Sequence, residues 1–227
     1  MKIFGKRWRK AQQAENHVWQ AEPSLQPLTD SQRDSNLGRV CKYTGLPANT
    51  LENMRVLEIG GPVIERAFDN PGTAPKLVLD PLLGFTRAVG RERASRRIRG
   101  VGEYLPLPDG SFDLCWCANT IDHTSSPEAV MGEIRRVLKD GAILVISCNL
   151  FPGWTRPFFR LFDFVDTPHP HHYTLPMFRR LLEERFVVQR QTVETEGRHT
   201  GFAAHPGRLI PRLLGVRYYY FRCLPKK

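Results

Sequence analysis

Long apolar runs are missing from this sequence. None approaches the roughly 20 consecutive residues that cross a bilayer, although hydrophobic residues make up 41% of the chain. No membrane partner is therefore expected. The basic opening stretch MKIFGKRWRK has no apolar run behind it, so a secretory signal is not expected either. Cysteine is sparse and scattered, at Cys41, Cys115, Cys117, Cys148 and Cys223. Neither a disulfide framework nor a zinc spacing appears, which points to a reducing, cytoplasmic compartment. Cys115 and Cys117 sit one residue apart in an expected strand and face the same side. A repeated aromatic and basic pattern, which would build a single-strand nucleic-acid platform, is also missing. Charge is lopsided. The net charge is +10, with clusters at Lys6–Lys10 and Arg91–Arg99. Such a balance suits nucleic acid, an anionic membrane or an anionic small substrate, and equally an Arg-rich solvated surface.

A chain of 227 residues fits one α/β domain with extensions. Its centre is Arg55–Asp80, RVLEIGGPVIERAFDNPGTAPKLVLD. An apolar run, Val56–Ile59, meets a Gly-Gly-Pro turn. A short helical segment, Val63–Asp69, leads to a second apolar run, Lys76–Leu79, which stops at Asp80. Short apolar strands separated by a helix argue for parallel pairing, because parallel strands need a crossover. A glycine turn lets backbone N–H groups approach a ligand. An acid ending the next strand can hold the vicinal diol of a ribose. The combination suggests a nucleoside-containing cofactor.

Upstream, residues 7–21 form a helix expected to pack its Trp8/Ala11/Val18 side on the domain, ended by Pro23 and Pro27. A second helix is expected over Ser31–Thr44, with Asp30 as its cap. These helices either cover the domain or wall its site. Downstream, a helical segment is expected to about Arg97, then a weak strand near Ile98–Val101. Phe112–Cys117 reads as a buried strand delivering Asn119, Thr120, Asp122 and His123 to its carboxyl end, where open parallel sheets bind ligands. An amphipathic helix over 127–138 starts with Pro127 and ends at Lys139-Asp140-Gly141. Ala142–Ser147 is the next buried strand. Residues 151–174, FPGWTRPFFRLFDFVDTPHPHHYT, hold six Phe/Trp residues and then three histidines, and read as an aromatic cap over the ligand edge. A helix over Leu175–Glu184 follows. The last two strands are Arg185–Thr192 and Arg217–Leu224, with loop and a short helix near Ile210 between them. Tyr218, Tyr219 and Tyr220 are expected to pack the terminal strand.

Four segments, VLEIGGP (56–62), VLDP (78–81), GEYLPLPDGSFDLCWCANTIDH (102–123) and EIRRVLKDGAILVIS (133–147), resemble the class I S-adenosylmethionine-dependent methyltransferases. The small-molecule branch with a methyltransferase type 11 domain is the nearest likeness. The resemblance implies an N-terminal helical extension over 1–49 and a methyltransferase domain over 50–227, with a cap or acceptor segment at 151–174. It implies a Rossmann-like, seven-stranded, mostly parallel sheet in the order 3-2-1-4-5-7-6, strand 7 antiparallel, with flanking helices. It implies S-adenosyl-L-methionine as cofactor. Glu58, Gly60 and Gly61 match the loop at the methionine end. Asp80 matches the acid on the ribose hydroxyls, and Pro81, Leu82 and Leu83 fall where adenine is flanked. Gly102, Glu103 and Tyr104 match the loop over adenine, and Asn119 the segment under the sulfonium. The chain departs from the family pattern in two places. The usual Gly-x-Gly-x-Gly is here Gly60, Pro62 and Ile64. Val101 stands where an aspartate often meets the adenine amine.

Methyl transfer from a sulfonium is an in-line displacement that depends on positioning and desolvation. A hydroxyl acceptor also needs a base within hydrogen-bond reach. The candidates are His123, Asp122, His169 and His171, with Asp122 alternatively orienting a histidine. His169, His171 and His172, with Asp163 and Asp166, offer metal-ligand types in a spacing unlike zinc motifs, and no residue is assigned to a metal. Arg156 and Arg160 suit an acidic group on the acceptor. The expected activity is methylation of a small molecule such as a sugar or other hydroxyl compound. The alternatives are RNA methylation, although no Asn/Asp-Pro-Pro-Tyr/Phe arrangement or RNA-binding module appears, and a catalytically degenerate partner protein. A nucleotide-sugar or NAD-linked enzyme fits the last two segments poorly. A small-molecule partner is expected, nucleic acid is not, and the oligomeric state is left open.

Overall fold

The computed structural model describes residues 5–20, 29–61, 63–68, 74–82, 95–165, 168–194 and 214–227. Helix α1 spans Lys6–Gln20, α2 Asp30–Thr44 and α3 Ala48–Glu52. Strand β1 (Val56–Ile59) and the short α4 (Ile64–Ala67) precede β2 (Lys76–Asp80), β3 (Ser95–Arg99) and β4 (Phe112–Ala118). A 3-10 turn at Ile121–His123 leads to α5 (Pro127–Val137) and β5 (Leu138–Phe151). A 3-10 segment at Gly153–Phe158 runs into α6 (Phe159–Val165), then β6 (Tyr173–Thr174), α7 (Leu175–Glu183), β7 (Phe186–Val193) and β8 (Arg217–Pro225).

One sheet runs β3-β2-β1-β4-β5-β8-β7, with β6 pairing β5 off that path. Strands β1 to β5 pair in parallel, and β8 is antiparallel to both neighbours. With the two-residue β6 set aside, this is the expected 3-2-1-4-5-7-6 order. Side chains alternate across the sheet, so each strand feeds two cores. Cys115, Cys117, Leu144 and Ile146 point into one core with Met131 and Ile134 of α5 and Phe178 of α7. Leu114, Trp116, Ile143 and Val145 point into the other, with Val40 and Tyr43 of α2 and Ile64 of α4. Cys115 and Cys117 do share a face. Tyr220 of β8 is buried and stacks on Tyr43, with ring centroids 3.6 Å apart, while the Tyr218 hydroxyl meets Ser147 Oγ at 2.5 Å.

Several boundaries differ from the sequence reading. The cap of α2 is Thr29, not Asp30: Thr29 Oγ1 accepts from Gln32 N while the Gln32 side chain accepts from Thr29 N. This reciprocal box gives Thr29 N a partner and Gln32 N, which also donates to the Thr29 carbonyl, a second acceptor. Helix α5 stops at Val137, and Leu138 already pairs with Phe112, so β5 is far longer than Ala142–Ser147. Helix α3 was not anticipated. It is tied down by the buried Lys76, whose Nζ donates to the carbonyls of Glu52, Met54 and Ala74. The expected helix before Arg97 lies mostly outside the described residues, but its last three residues open β3, which spans Ser95–Arg99 instead of Ile98–Val101 because Ser95, Arg96 and Arg97 already pair with β2; the short helix near Ile210 also lies outside the described residues.

Loop 105–109 and α5 are locked by one residue. Arg136 donates to the Leu107 and Leu105 carbonyls at 2.7 and 2.8 Å, to Asp109 at 2.6 Å and twice to Glu133 at 2.8 Å. Glu133 also accepts from Leu105 N at 2.7 Å. The LPLPD and EIRR motifs are thus two halves of one clamp.

Candidate active site

Parallel strands β1, β2 and β4 end side by side, and their carboxyl ends make the crevice expected of this architecture. The turn after β1 is tight. Gly60 has φ +71, and a Cβ there would lie 2.3 Å from Thr120 Oγ1. A Cβ on Gly61 would lie 2.1 Å from the Glu58 carboxyl carbon. Glu58 is fully buried and accepts from Val63 N at 2.6 Å and Ile64 N at 3.1 Å. It therefore braces the start of α4 from below the turn. Ile64 does not crowd the crevice. Its side chain is buried in the second core, because the first turn of α4 faces the sheet. Pro62 and Leu83 lie outside the described residues.

Asp80 closes β2, and its Oδ1 accepts from Leu82 N at 2.6 Å. Burial raises its pKa to about 6, opposed by the Leu82 N–H; Glu15 raises it further and His123 lowers it. Pro81 and Leu82 are half-buried beside it. Val101 and Tyr104 form an isolated bridge around Gly102 and Glu103. Gly102 is buried against Val130 and Ile59, and Tyr104 is 76% exposed. Glu103 caps the approach to α5, accepting from Ser125 N at 2.5 Å and Ser126 N at 3.2 Å. Asn119 leaves β4 at φ 52, an uncommon left-handed conformation that asparagine tolerates. Its Oδ1 accepts from Asn149 Nδ2 at 3.0 Å. The strained residue thus stands at the carboxyl end of the central strands.

Beyond Asn119, the turn 121–123 presents Asp122 and His123. His123 Nδ1 donates to the Pro168 carbonyl at 2.9 Å and lies 3.4 Å from Glu15 Oε1. Its ring packs on His169 with centroids 4.4 Å apart, and its Nε2 lies 3.9 Å from Asp122 Oδ1. Asp122 is 3% exposed. His171 also belongs to this turn: its N–H donates to the Asp122 carbonyl at 3.2 Å and its Nε2 to the Thr124 carbonyl at 3.0 Å. Burial, opposed by that carbonyl, lowers its pKa. His172 turns the other way, into a ring of Phe151, Phe159 and Phe162 at 5.4, 5.7 and 5.7 Å. These rings form the aromatic cap. Trp154 and Phe158 of the same stretch face outward, 60% and 49% exposed, and Arg156 and Arg160 are exposed with them.

Helix α1 walls the crevice. Ala11 is buried as expected, but the neighbouring polar face also turns inward. Gln12 Nε2 donates to the His123 carbonyl at 3.3 Å, Glu15 reaches His123 Nδ1, and Arg7 donates to the His169 carbonyl at 3.4 Å. Gln12 and Glu15 are not among the site residues to which the sequence points. The only signal was the polar side of a helix that also carries Trp8 and Ala11. Buried side-chain oxygens of Gln12, Asn16 and Asp122 have no hydrogen-bond partner among the described residues. Unpaired buried acceptors beside a crevice are what a donor-bearing ligand would satisfy.

The sheet order and the carboxyl-edge crevice define the class I methyltransferase fold. A family model described as a methyltransferase domain matches residues 79–146. An uncharacterized methyltransferase of Mycolicibacterium gilvum is 31% identical over 111 residues, 47% of this chain and 42% of that protein. The ubiquinone/menaquinone biosynthesis C-methyltransferase of Rubrivivax gelatinosus is 30% identical over 122 residues, 48% of this chain and 48% of that protein. The chain thus spans less than half the length of these curated relatives. The solved S-adenosylmethionine-dependent methyltransferase of Mesorhizobium loti superposes with a TM-score of 0.59 at 17% identity, covering 86% of this chain and 100% of that one. The chain thus has the fold of the class I S-adenosylmethionine-dependent methyltransferases, and its residues 79–146 match a methyltransferase domain.

Proposed function

We propose that this chain methylates a small-molecule acceptor, with hydroxyl compounds such as sugars as the first class to examine. One observation carries the reading. Asp80 at the carboxyl end of β2 and His123 in the turn after β4 stand on the same edge of the sheet, with only β1 between their strands. An acid suited to ribose hydroxyls and an imidazole suited to an acceptor proton therefore share one crevice.

The residues present fit the cofactor. Asp80 is a poorly solvated carboxylate for which hydroxyl donors compensate. Asn119 and the Gly60 turn flank the adjoining strand ends, and Gln12 and Asn16 offer unpaired carbonyl oxygens from α1. When bound, S-adenosylmethionine supplies an electrophilic methyl on sulfur. Asp80 holds the ribose end, and α1 with the 151–174 segment excludes water. The Nδ1–H of His123 is committed to Pro168, so its Nε2 carries the lone pair that accepts the acceptor's proton. Methyl transfer at this site would yield the methylated acceptor and S-adenosylhomocysteine, with the acceptor's proton taken up at His123 Nε2.

The test is incubation with S-adenosylmethionine carrying a deuterated methyl, against pools of sugars, phenols and RNA, read by mass spectrometry. A deuteromethylated small molecule, formed with stoichiometric S-adenosylhomocysteine, is the expected result. Label in RNA alone, or in nothing while the cofactor still binds, overturns the reading.

A further inference from the structure

We propose that Asp122, His123 and His169 form a binding site for one divalent first-row transition cation. Their ligand atoms all lie within 4.8 Å of one another. Asp122 is 3% exposed, and its Oδ1 has no hydrogen-bond partner among the described residues. A buried anionic oxygen facing two imidazoles and no donor is an arrangement that a cation completes. The neighbouring histidine is already prepared. A ligating imidazole ordinarily donates its other N–H to a carbonyl or carboxylate, which fixes the tautomer and raises its basicity. His123 Nδ1 has both, the Pro168 carbonyl at 2.9 Å and Glu15 Oε1 at 3.4 Å. Its Nε2 is left on the side of Asp122 Oδ1, 3.9 Å away. Metal bonds of about 2.0–2.2 Å set such atoms roughly 3–3.5 Å apart, so movements of under about 1 Å close the site.

The two other histidines of the 168–174 stretch are engaged elsewhere. His171 Nε2 is spent on the Thr124 carbonyl, and the His172 ring lies among phenylalanines. Two imidazoles and one carboxylate suit zinc, iron(II) or cobalt(II) rather than magnesium or calcium. Three protein ligands leave open positions for an exogenous oxygen. The use of that oxygen rests on the methyl-transfer reading: a coordinated acceptor hydroxyl would lose its proton more readily, to solvent water, and His123 Nε2 would serve as ligand instead of proton acceptor. The binding site itself does not depend on that reading.

The experiment uses the whole chain, stripped with chelator and titrated with Co2+ alone, followed by visible absorption and elemental analysis. One Co2+ per chain, with bands of low coordination number that Zn2+ displaces, is expected. His169→Ala and Asp122→Asn each weaken uptake at least tenfold, while His17→Ala, on the exposed side of α1, leaves it unchanged. Thermal unfolding of each variant verifies folding, and if Asp122→Asn does not fold, His169→Ala decides. No stoichiometric uptake, or uptake insensitive to His169→Ala, overturns the proposal. S-adenosylmethionine titration of the stripped protein is read separately, so loss of either binding event is distinguishable from loss of the other.

Discussion

His123 Nδ1 donates to the Pro168 carbonyl at 2.9 Å. That bond joins the end of a central strand to the segment that follows the aromatic cap. With Gln12 and Glu15 on the same histidine and Arg7 on the His169 carbonyl, three distant parts of the chain enclose one corner of the crevice. Burial raises the Asp80 pKa, and of the residues in that corner Glu15 raises it further while His123 lowers it.

Asp80 predicts a pH dependence of cofactor binding. Its carboxyl is raised to about 6 by burial, and in the proposed cofactor site the ionised form is the one that would accept from ribose hydroxyls. Affinity therefore rises with pH and levels off above that value. One unit below it, binding is about tenfold weaker than on the plateau. In the free protein the sign is opposite. A carboxyl with a raised folded pKa contributes stability below its unfolded value that is lost as pH rises through about 6. Asp80→Asn flattens both profiles, as calorimetry and thermal unfolding against pH will read.

His123→Ala separates binding from chemistry. Removing a positioned proton acceptor costs about 10²- to 10⁴-fold in kcat, whereas the cofactor dissociation constant changes less than about threefold. A loss confined to cofactor affinity would assign His123 to the cofactor side instead.

Much of the site was legible because it is local in sequence. Strand, glycine turn, helix, strand and acid follow one another from Val56 to Asp80, so period and punctuation suffice. The same holds for the turn that delivers Asp122 and His123. The pairing of His123 with His169, and of both with α1, was not legible. Nothing in WRKAQQAENHVW distinguishes Gln12 and Glu15 from ordinary solvated positions until tertiary packing turns them inward. Glu58 and Glu103 show a second limit. Their positions matched cofactor loops, yet their carboxylates are engaged with backbone N–H groups at helix starts. One residue separated Thr29 from Asp30 as a cap, since both residue types cap well.

Gly60 and Thr120 are coupled by contact. Gly60→Ala forces a Cβ to 2.3 Å from Thr120 Oγ1 and imposes φ +71 on alanine. A destabilisation of about 2–4 kcal/mol is expected from overpacking and backbone strain together. Adding Thr120→Gly removes the steric part alone, so a double-mutant cycle in urea should return a coupling of at least about 1 kcal/mol. Simple additivity would mean that the turn moves away from β4.

Arg136→Ala opens the clamp between loop 105–109 and α5. The change leaves Glu133 and two backbone carbonyls without their charged donor. The expected loss is about 1–3 kcal/mol. Hydrogen exchange should increase at Leu105 and Leu107 before the sheet responds, and Arg136→Lys recovers only part because an ammonium lacks the planar fork.

Calorimetric titration of the purified chain with S-adenosylmethionine tests the central claim most directly. The account predicts saturable one-to-one binding that S-adenosylhomocysteine competes away and Asp80→Ala weakens by at least tenfold. Absence of binding by folded protein, or binding indifferent to Asp80, would contradict it.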